Sequence, residues 1–370
     1  MKNLLDGIEE VLLMGPGPSC VPDEVYKALA KPTLGHMDYY FIEIMDETKS
    51  MLQDLMQTKN PLTLAISATG SAGMEAAFVN LVEPGDPVLI CINGVFGTRM
   101  ADIATRLGAD VDTIEFKWGT PVIPGNVKEK LSKKKYSVVA VVHAETSTGV
   151  KNPVREIGDI VKEHGALYIV DAVTSLGGIP VEVDNWKIDV LYSGTQKCLS
   201  CPPGLSPITF SGKAIKKIQN RKNKVPNWYL DMNMIMQYWG GKKRVYHHTA
   251  PINMLYGLYQ SLFLFFQEGR DTVYKRHQET HEMLVEGLEK LGLKMLVEPS
   301  HRLPMLNSVI VPEKIDEAEV RSTLRKKYKI EIGAGLGPLA GKIWRIGLMG
   351  HTARKNNVKR LLDALSEIIK

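Results

Sequence analysis

The sequence predicts an α/β protein: a large domain with a mostly parallel central sheet, followed by a smaller α+β C-terminal domain. Two observations carry this. Short unbroken runs of Val, Ile and Leu alternate with helical patterns as far as about residue 250, as expected for a parallel sheet covered on both faces. Beyond Pro251 the texture changes to long amphipathic helix and then to short strands. A chain of 370 residues accommodates two such domains at about 150 residues each.

The apolar runs are LTLAIS (62–67), PVLICI (87–92), SVVAVVH (137–143), ALYIVDA (166–172) and IDVLYSG (188–194). Helical patterns lie between them at 74–81, 99–107 and 157–164. One long helix is expected over 255–292, with Leu, Phe and Met on one side and charges on the other. Strands follow at 294–297, 307–311, 329–332 and 343–347, with helices at 315–327 and 355–369. The expected division is an extension at 1–22, a large domain at 23–268 and a small domain at 269–370.

Composition narrows the function classes. With 44% hydrophobic and 24% charged residues and no recurring period, collagen-like, coiled-coil, disordered and solenoid proteins are excluded. The most apolar stretch, 254–266, is interrupted by Tyr256, Gly257, Tyr259, Gln260 and Ser261, short of the roughly 18 apolar residues that span a bilayer. No membrane partner is expected. Asp6, Glu9 and Glu10 interrupt the apolar N-terminus, unlike a secretory signal, and four cysteines suit a reducing compartment, so a cytoplasmic location is expected. The net charge of +5 comes from small groups at 133–135, 213–224 and 242–244 without aromatic interleaving. They read as solvated faces rather than a nucleic-acid site, the alternative being an anion channel along 216–224.

Ligands of open parallel sheets gather beyond the carboxyl ends of the strands. The first run is followed by Ala68-Thr69-Gly70-Ser71-Ala72-Gly73 and at once by a helical pattern. Small residues there let helix N-terminal N–H groups approach a phosphate, the alternative being an ordinary turn capped by Thr69 or Ser71. The fourth run delivers Asp171, which at a buried strand end calls for a cationic or hydrogen-bonding partner. The fifth leads to Thr195-Gln196-Lys197, where a desolvated amine would become a nucleophile for carbonyls; a surface cation is the plainer alternative. Arg345 closes a strand of the small domain and offers a fork for a carboxylate, or else a salt bridge within that sheet. Tyr246-His247-His248-Thr249 reads as packing, because no further metal-ligand pattern accompanies the two histidines. Cys198 and Cys201 form a lone C-x-x-C, read as structural thiols; a metal or redox module is the remote alternative. No metal site is expected.

These residues suit one chemistry: a lysine joined to an aldehyde cofactor, an acid facing a pyridine nitrogen, and a phosphate at a helix N-terminus. In order and spacing, the chain resembles the class V, fold-type I aminotransferases dependent on pyridoxal 5'-phosphate, in the alanine–glyoxylate/serine–pyruvate group. The matching stretches include MGPGPS (14–19), NPLTLAISATGSAGMEAA (60–77), NGVFGTR (93–99), HAETSTGV (143–150), VDAVTSLGG (170–178), YSGTQKCLSCPPG (192–204), YHHTAP (246–251) and RIGLMG (345–350). The resemblance implies that Lys197 forms the Schiff base and that Asp171 holds the ring nitrogen protonated. It places Thr69, Gly70, Ser71 and Gln196 at the phosphate, Thr146 at the ring, and Phe96 stacked where the best-known members carry Trp. It makes Arg345 the clamp for the substrate carboxylate. It further implies a homodimer with shared sites, in which Tyr246 and Thr249 reach the partner's phosphate, the loop beginning at Gly35 lines the partner's site, and 1–22 packs on the partner. The implied activity moves an amino group from alanine or serine to glyoxylate or pyruvate in ping-pong half-reactions. Ureidoglycine–glyoxylate or aspartate specificity is the alternative on the same scaffold. Cysteine desulfuration would need an exposed thiol of low pKa, for which Cys198 is badly placed.

Overall fold

The computed structural model describes residues 2–240 and 244–369; Lys242 and Lys243 of the basic group at 242–244 lie outside the described residues. A seven-stranded sheet occupies the large domain in the order Leu62–Ile66, Ser206–Phe210, Val190–Tyr192, Leu167–Asp171, Val138–Val142, Pro87–Ile92 and Asp110–Glu115. Ser206–Phe210 runs antiparallel to both its neighbours, and all other pairings are parallel. Six strands therefore end on the same edge of the sheet.

The five apolar runs are all strands, buried along their length at 62–66, 138–142 and 167–171. Two strands lack an apolar run in the sequence. Asp110–Glu115 is an edge strand that keeps Asp110, Thr113 and Glu115 in solvent. Ser206–Phe210 contains Pro207, which cannot donate to a ladder and so masks the strand pattern.

The expected long helix is two helices, Ile252–Glu268 and Arg270–Lys290. They break at Gly269, whose φ of 91° lies outside the helical region and is accessible mainly to glycine. One hydrophobic cluster gathers core residues from Val25 to Val273, and a second gathers Met14 with residues from Leu284 to Leu365. The second surrounds a four-stranded antiparallel sheet ordered Lys294–Met295, Leu306–Ile310, Ile343–Gly347 and Gly333–Ala334. The expected strand at 329–332 is divided: Ile330–Glu331 leaves this sheet to pair in parallel with Leu12–Leu13.

The segment 1–22 accordingly has two parts. Leu4, Leu5 and Ile8 are exposed. Residues 12–20 thread through this chain's own body: Met14 N–H donates to Glu331 O at 2.8 Å, Gly347 N–H to Met14 O at 2.7 Å, and Ser19 Oγ to Lys197 O at 2.7 Å. Three of the six cations in the basic stretch 213–224 are occupied by the fold, and Lys216, Lys222 and Lys224 are exposed. Lys213 caps the carbonyls of Gly165 and Ala166, Lys217 pairs with Asp86, and Arg221 holds the carbonyls of Asn80 and Val82. Among the described residues, no helix is long and apolar enough to cross a membrane.

Candidate active site

The shared direction of the strands brings the expected residues to one edge. Leu62–Ile66 leads through Thr69 into the helix Gly70–Leu81, Pro87–Ile92 leads to Phe96, and Val138–Val142 leads to Thr146. Leu167–Asp171 ends on Asp171, and Val190–Tyr192 leads to Gln196 and Lys197. Arg345 enters from the small domain on Ile343–Gly347.

Thr69 and Ser71 open to solvent at the helix N-terminus, and the Thr69 side chain makes no capping bond. Its hydroxyl and the first N–H groups of the helix are thus available to an anion. The helix lies so close to the sheet that a Cβ on Gly73 would run into the Ser206 hydroxyl. Arg99, in the first turns of the helix Val95–Arg106, reaches Ser71 Oγ at 3.3 Å and sits 5.0 Å from the Phe96 ring centroid, adding a cation to the cup.

Asp171 is buried, its Oδ1 accepting from Val173 N–H at 2.8 Å and its Oδ2 from the Tyr192 hydroxyl at 3.0 Å. Burial raises it to about 6, against the opposing pull of those two hydrogen bonds and of the Lys197 and Arg99 charges. Lys197 is also buried, and its Nζ donates to the Pro16 carbonyl. Burial, and then the Arg345 charge, lower its amine to about 8 from an ordinary 10.5. Arg345 donates from Nε to Ala334 O at 2.7 Å and from one terminal nitrogen to Thr146 O at 3.2 Å. Its remaining donors are left for a ligand. The Thr146 hydroxyl shares a 2.6 Å bond with Thr174.

Three contributors escaped the sequence reading. Pro16 and Gly17 cover the lysine so closely that a Cβ on Gly17 would lie 2.5 Å from Lys197 Nζ. Nothing titratable marks that segment. Arg99 stood in a matching stretch without a role. Glu145 is fully buried, its Oε1 held by Ser147 N–H and Oγ and its Oε2 without a partner, and burial raises it to about 7. A polar residue at a buried strand end was the signal that found Asp171 and could have found Glu145.

Other expected residues lie apart from this cluster. Gly35 has no atom within 4 Å of an added Cβ, and Tyr246 is 56% exposed, with Thr249 at 3.4 Å from its hydroxyl. The His36 ring packs 5.0 Å from that of Tyr246, so the two loops form one surface. Cys198 and Cys201 are buried free thiols pushed up to about 12 by burial, which makes them inert.

A buried amine lowered toward neutrality, a buried acid, an open helix N-terminus and a buried guanidinium define a pyridoxal-phosphate-dependent aminotransferase. The residues fit that cofactor: Thr69 leaves the first donors of the cup helix uncommitted, Arg99 adds a cation beside Ser71, and Asp171 and Lys197 stand buried at the same sheet edge. The chain belongs to the class V aminotransferases, whose family model, described as Aminotransferase class-V, matches residues 13–361. It is 42% identical over 361 residues to the alanine–glyoxylate aminotransferase of Felis catus, covering 97% of this chain and 87% of that one. It is 39% identical over 375 residues to the (S)-ureidoglycine–glyoxylate transaminase of Bacillus subtilis, covering 96% and 90%. A crystal structure of alanine–glyoxylate aminotransferase from Nostoc sp. superposes with a TM-score of 0.96 at 46% identity, covering both chains in full. The aminotransferase assignment replaces the metal or redox module considered for Cys198 and Cys201.

Proposed function

We propose that this aminotransferase moves the amino group of alanine or serine to glyoxylate or pyruvate. The observation that carries the substrate class is the buried guanidinium of Arg345, whose charge acts on Lys197 and whose free donors suit one carboxylate. Names of similar proteins support glyoxylate as acceptor, and ureidoglycine is the second donor to be weighed.

Bound pyridoxal 5'-phosphate supplies an aldehyde that takes up the amino group and a ring that delocalises the electrons of the substrate Cα–H bond. Thr69, Gly70, Ser71 and Gln196 would hold its phosphate, and Phe96 would supply an aromatic face for its ring. Asp171, ionised at neutral pH, holds a proton at the ring nitrogen. Arg345 fixes the substrate carboxylate and so orients the Cα–H bond. Lys197 Nζ, near 8, can accept a proton and return it at the operating pH. Pro16 and Gly17 cover that amine and limit the water around it.

The exposed Tyr246 with Thr249, the open Gly35 loop beside it, and the exposed Leu4, Leu5 and Ile8 support a homodimer with shared sites. Four free cysteines support a cytoplasmic location. A half-reaction panel with alanine, serine, aspartate and ureidoglycine, followed by the absorbance of the bound cofactor, tests the donor. Turnover with alanine or serine is expected; response to aspartate or ureidoglycine alone would overturn the assignment. Light scattering of the purified protein should give twice the chain mass of 41.1 kDa.

A further inference from the structure

The paired histidines of the Tyr246–Thr249 loop join two parts of the site. His247 and His248 meet through their Nδ1 atoms at 2.7 Å, His248 Nε2 lies 2.7 Å from Ser67 Oγ, and His247 Nε2 lies 3.4 Å from the Trp228 carbonyl. Ser67 directly follows the strand Leu62–Ile66 and stands two residues before Thr69, where the cup helix begins. Its own carbonyl accepts from the Tyr229 hydroxyl at 3.0 Å.

With both rings neutral, the Trp228 carbonyl at the end of this chain orders its protons. A carbonyl oxygen can only accept, so His247 Nε2 must donate to Trp228. In a neutral ring the other nitrogen then accepts, so His247 Nδ1 receives the proton of His248 Nδ1. His248 Nε2 is left as an acceptor, and the Ser67 hydroxyl must donate to it. Both rings are held for this arrangement: His247 stacks on Trp228 with centroids 4.5 Å apart at 16°, and His248 lies between Tyr229 and Tyr238 at 5.1 and 5.8 Å. Burial, with the neighbouring His247, lowers His248 to about 4, which keeps it neutral in the working range.

We propose that His248 is a positioning residue: through Ser67 it sets the phosphate cup of its own subunit, and through its loop it holds Tyr246 and Thr249 in place for the partner's. Ser67 is clamped at its hydroxyl by His248 and at its carbonyl by Tyr229, which fixes the peptide that launches Thr69, Gly70 and Ser71. Its hydroxyl proton is spent on His248, so Ser67 acts through position and not as a phosphate donor.

The experiment titrates apo-protein with pyridoxal 5'-phosphate and, separately, with pyridoxal, which keeps the aldehyde and ring but lacks the phosphate. His248→Phe should weaken the phosphate ester by about tenfold, the worth of one such hydrogen bond, and leave pyridoxal within about twofold. Ser67→Ala should reproduce that selective loss, and it carries the test if His248→Phe does not fold. His248→Gln, whose amide can accept from Ser67 and donate to His247, should recover most of the affinity. Equal weakening of both ligands, unchanged affinity for the ester, or failure of Gln to recover it would overturn the proposal. The contribution to the partner rests on the homodimer reading, and light scattering on the same samples keeps the two apart. A monomeric wild type overturns that contribution and the shared-site reading together; a dimeric His248→Phe protein with full affinity overturns the proposal alone.

Discussion

The proposed hold of Arg345 on a substrate carboxylate and its charge effect on the amine of Lys197 are separable, and two substitutions divide them. Burial and the Arg345 charge together bring Lys197 from 10.5 to about 8, a displacement worth about 3 kcal/mol. Burial is the larger cause, so Arg345→Gln should raise the amine only part of the way back. Arg345→Lys keeps the positive charge and should leave it nearer to about 8, while losing the planar fork. For the substrate, a hydrogen bond to a charged group is worth about 1.5–3 kcal/mol, so Arg345→Gln should raise KM about 10- to 150-fold for amino and oxo acids alike. The amine is read in apo-protein from the pH dependence of its rate of capturing pyridoxal, because only the neutral amine attacks. KM is read in steady-state assays of the loaded enzyme, and melting curves control for loss of the bonds to Ala334 and Thr146. A capture midpoint in Arg345→Gln at or below that of the wild type would refute the electrostatic coupling. An unchanged KM would refute the carboxylate seat.

Lys197 also makes a prediction about stability. Between about 8 and 10.5 the unfolded chain holds a proton that the folded chain has released, so folding becomes more favourable as pH rises through that window. The stability of apo wild type relative to Lys197→Met should therefore climb across it by up to about 3 kcal/mol, measured by denaturant unfolding; a flat difference would refute a buried amine. Gly17→Ala should slow pyridoxal capture by at least about tenfold, since a Cβ there meets Lys197 at 2.5–2.9 Å. It also strains a φ of 107° by about 1–3 kcal/mol, and an unchanged capture rate would show that the segment does not cover the amine. Gly73→Ala should lower stability by about 1–3 kcal/mol as the cup helix is pushed off Ser206 and Tyr192; an unchanged melting temperature would refute that close approach.

Several of these residues announce themselves locally. Asp171 and Lys197 interrupt or directly follow apolar runs where a parallel sheet ends, and a polar side chain in that position needs a reason to be there. Thr69-Gly70-Ser71 opens a helix without a committed cap, which the run of small residues suggests. Strand Ser206–Phe210 was hidden by Pro207, and the break at Gly269 was hidden because the amphipathic pattern continues across it. Glu145, a buried acid just past the end of the strand Val138–Val142, carried the same local signal as Asp171.

Legible from sequence alone were the α/β class and the alternation that aligns the strand ends; Asp171 and Lys197 stood out there by position, and the roles expected of them rested on the family resemblance. The class and the alternation follow from unbroken apolar runs and a helical period of about 3.6 residues, which short stretches of chain express without help. The covering of Lys197 by Pro16 and Gly17, the pairing of Leu12–Leu13 with Ile330–Glu331, the approach of Arg345 to Thr146 and the relay from Ser67 to Trp228 belong to the tertiary structure. Each joins segments separated by well over 100 residues. Such contacts depend on which packed surfaces meet when the chain closes on itself, and no local pattern of side chains encodes that meeting.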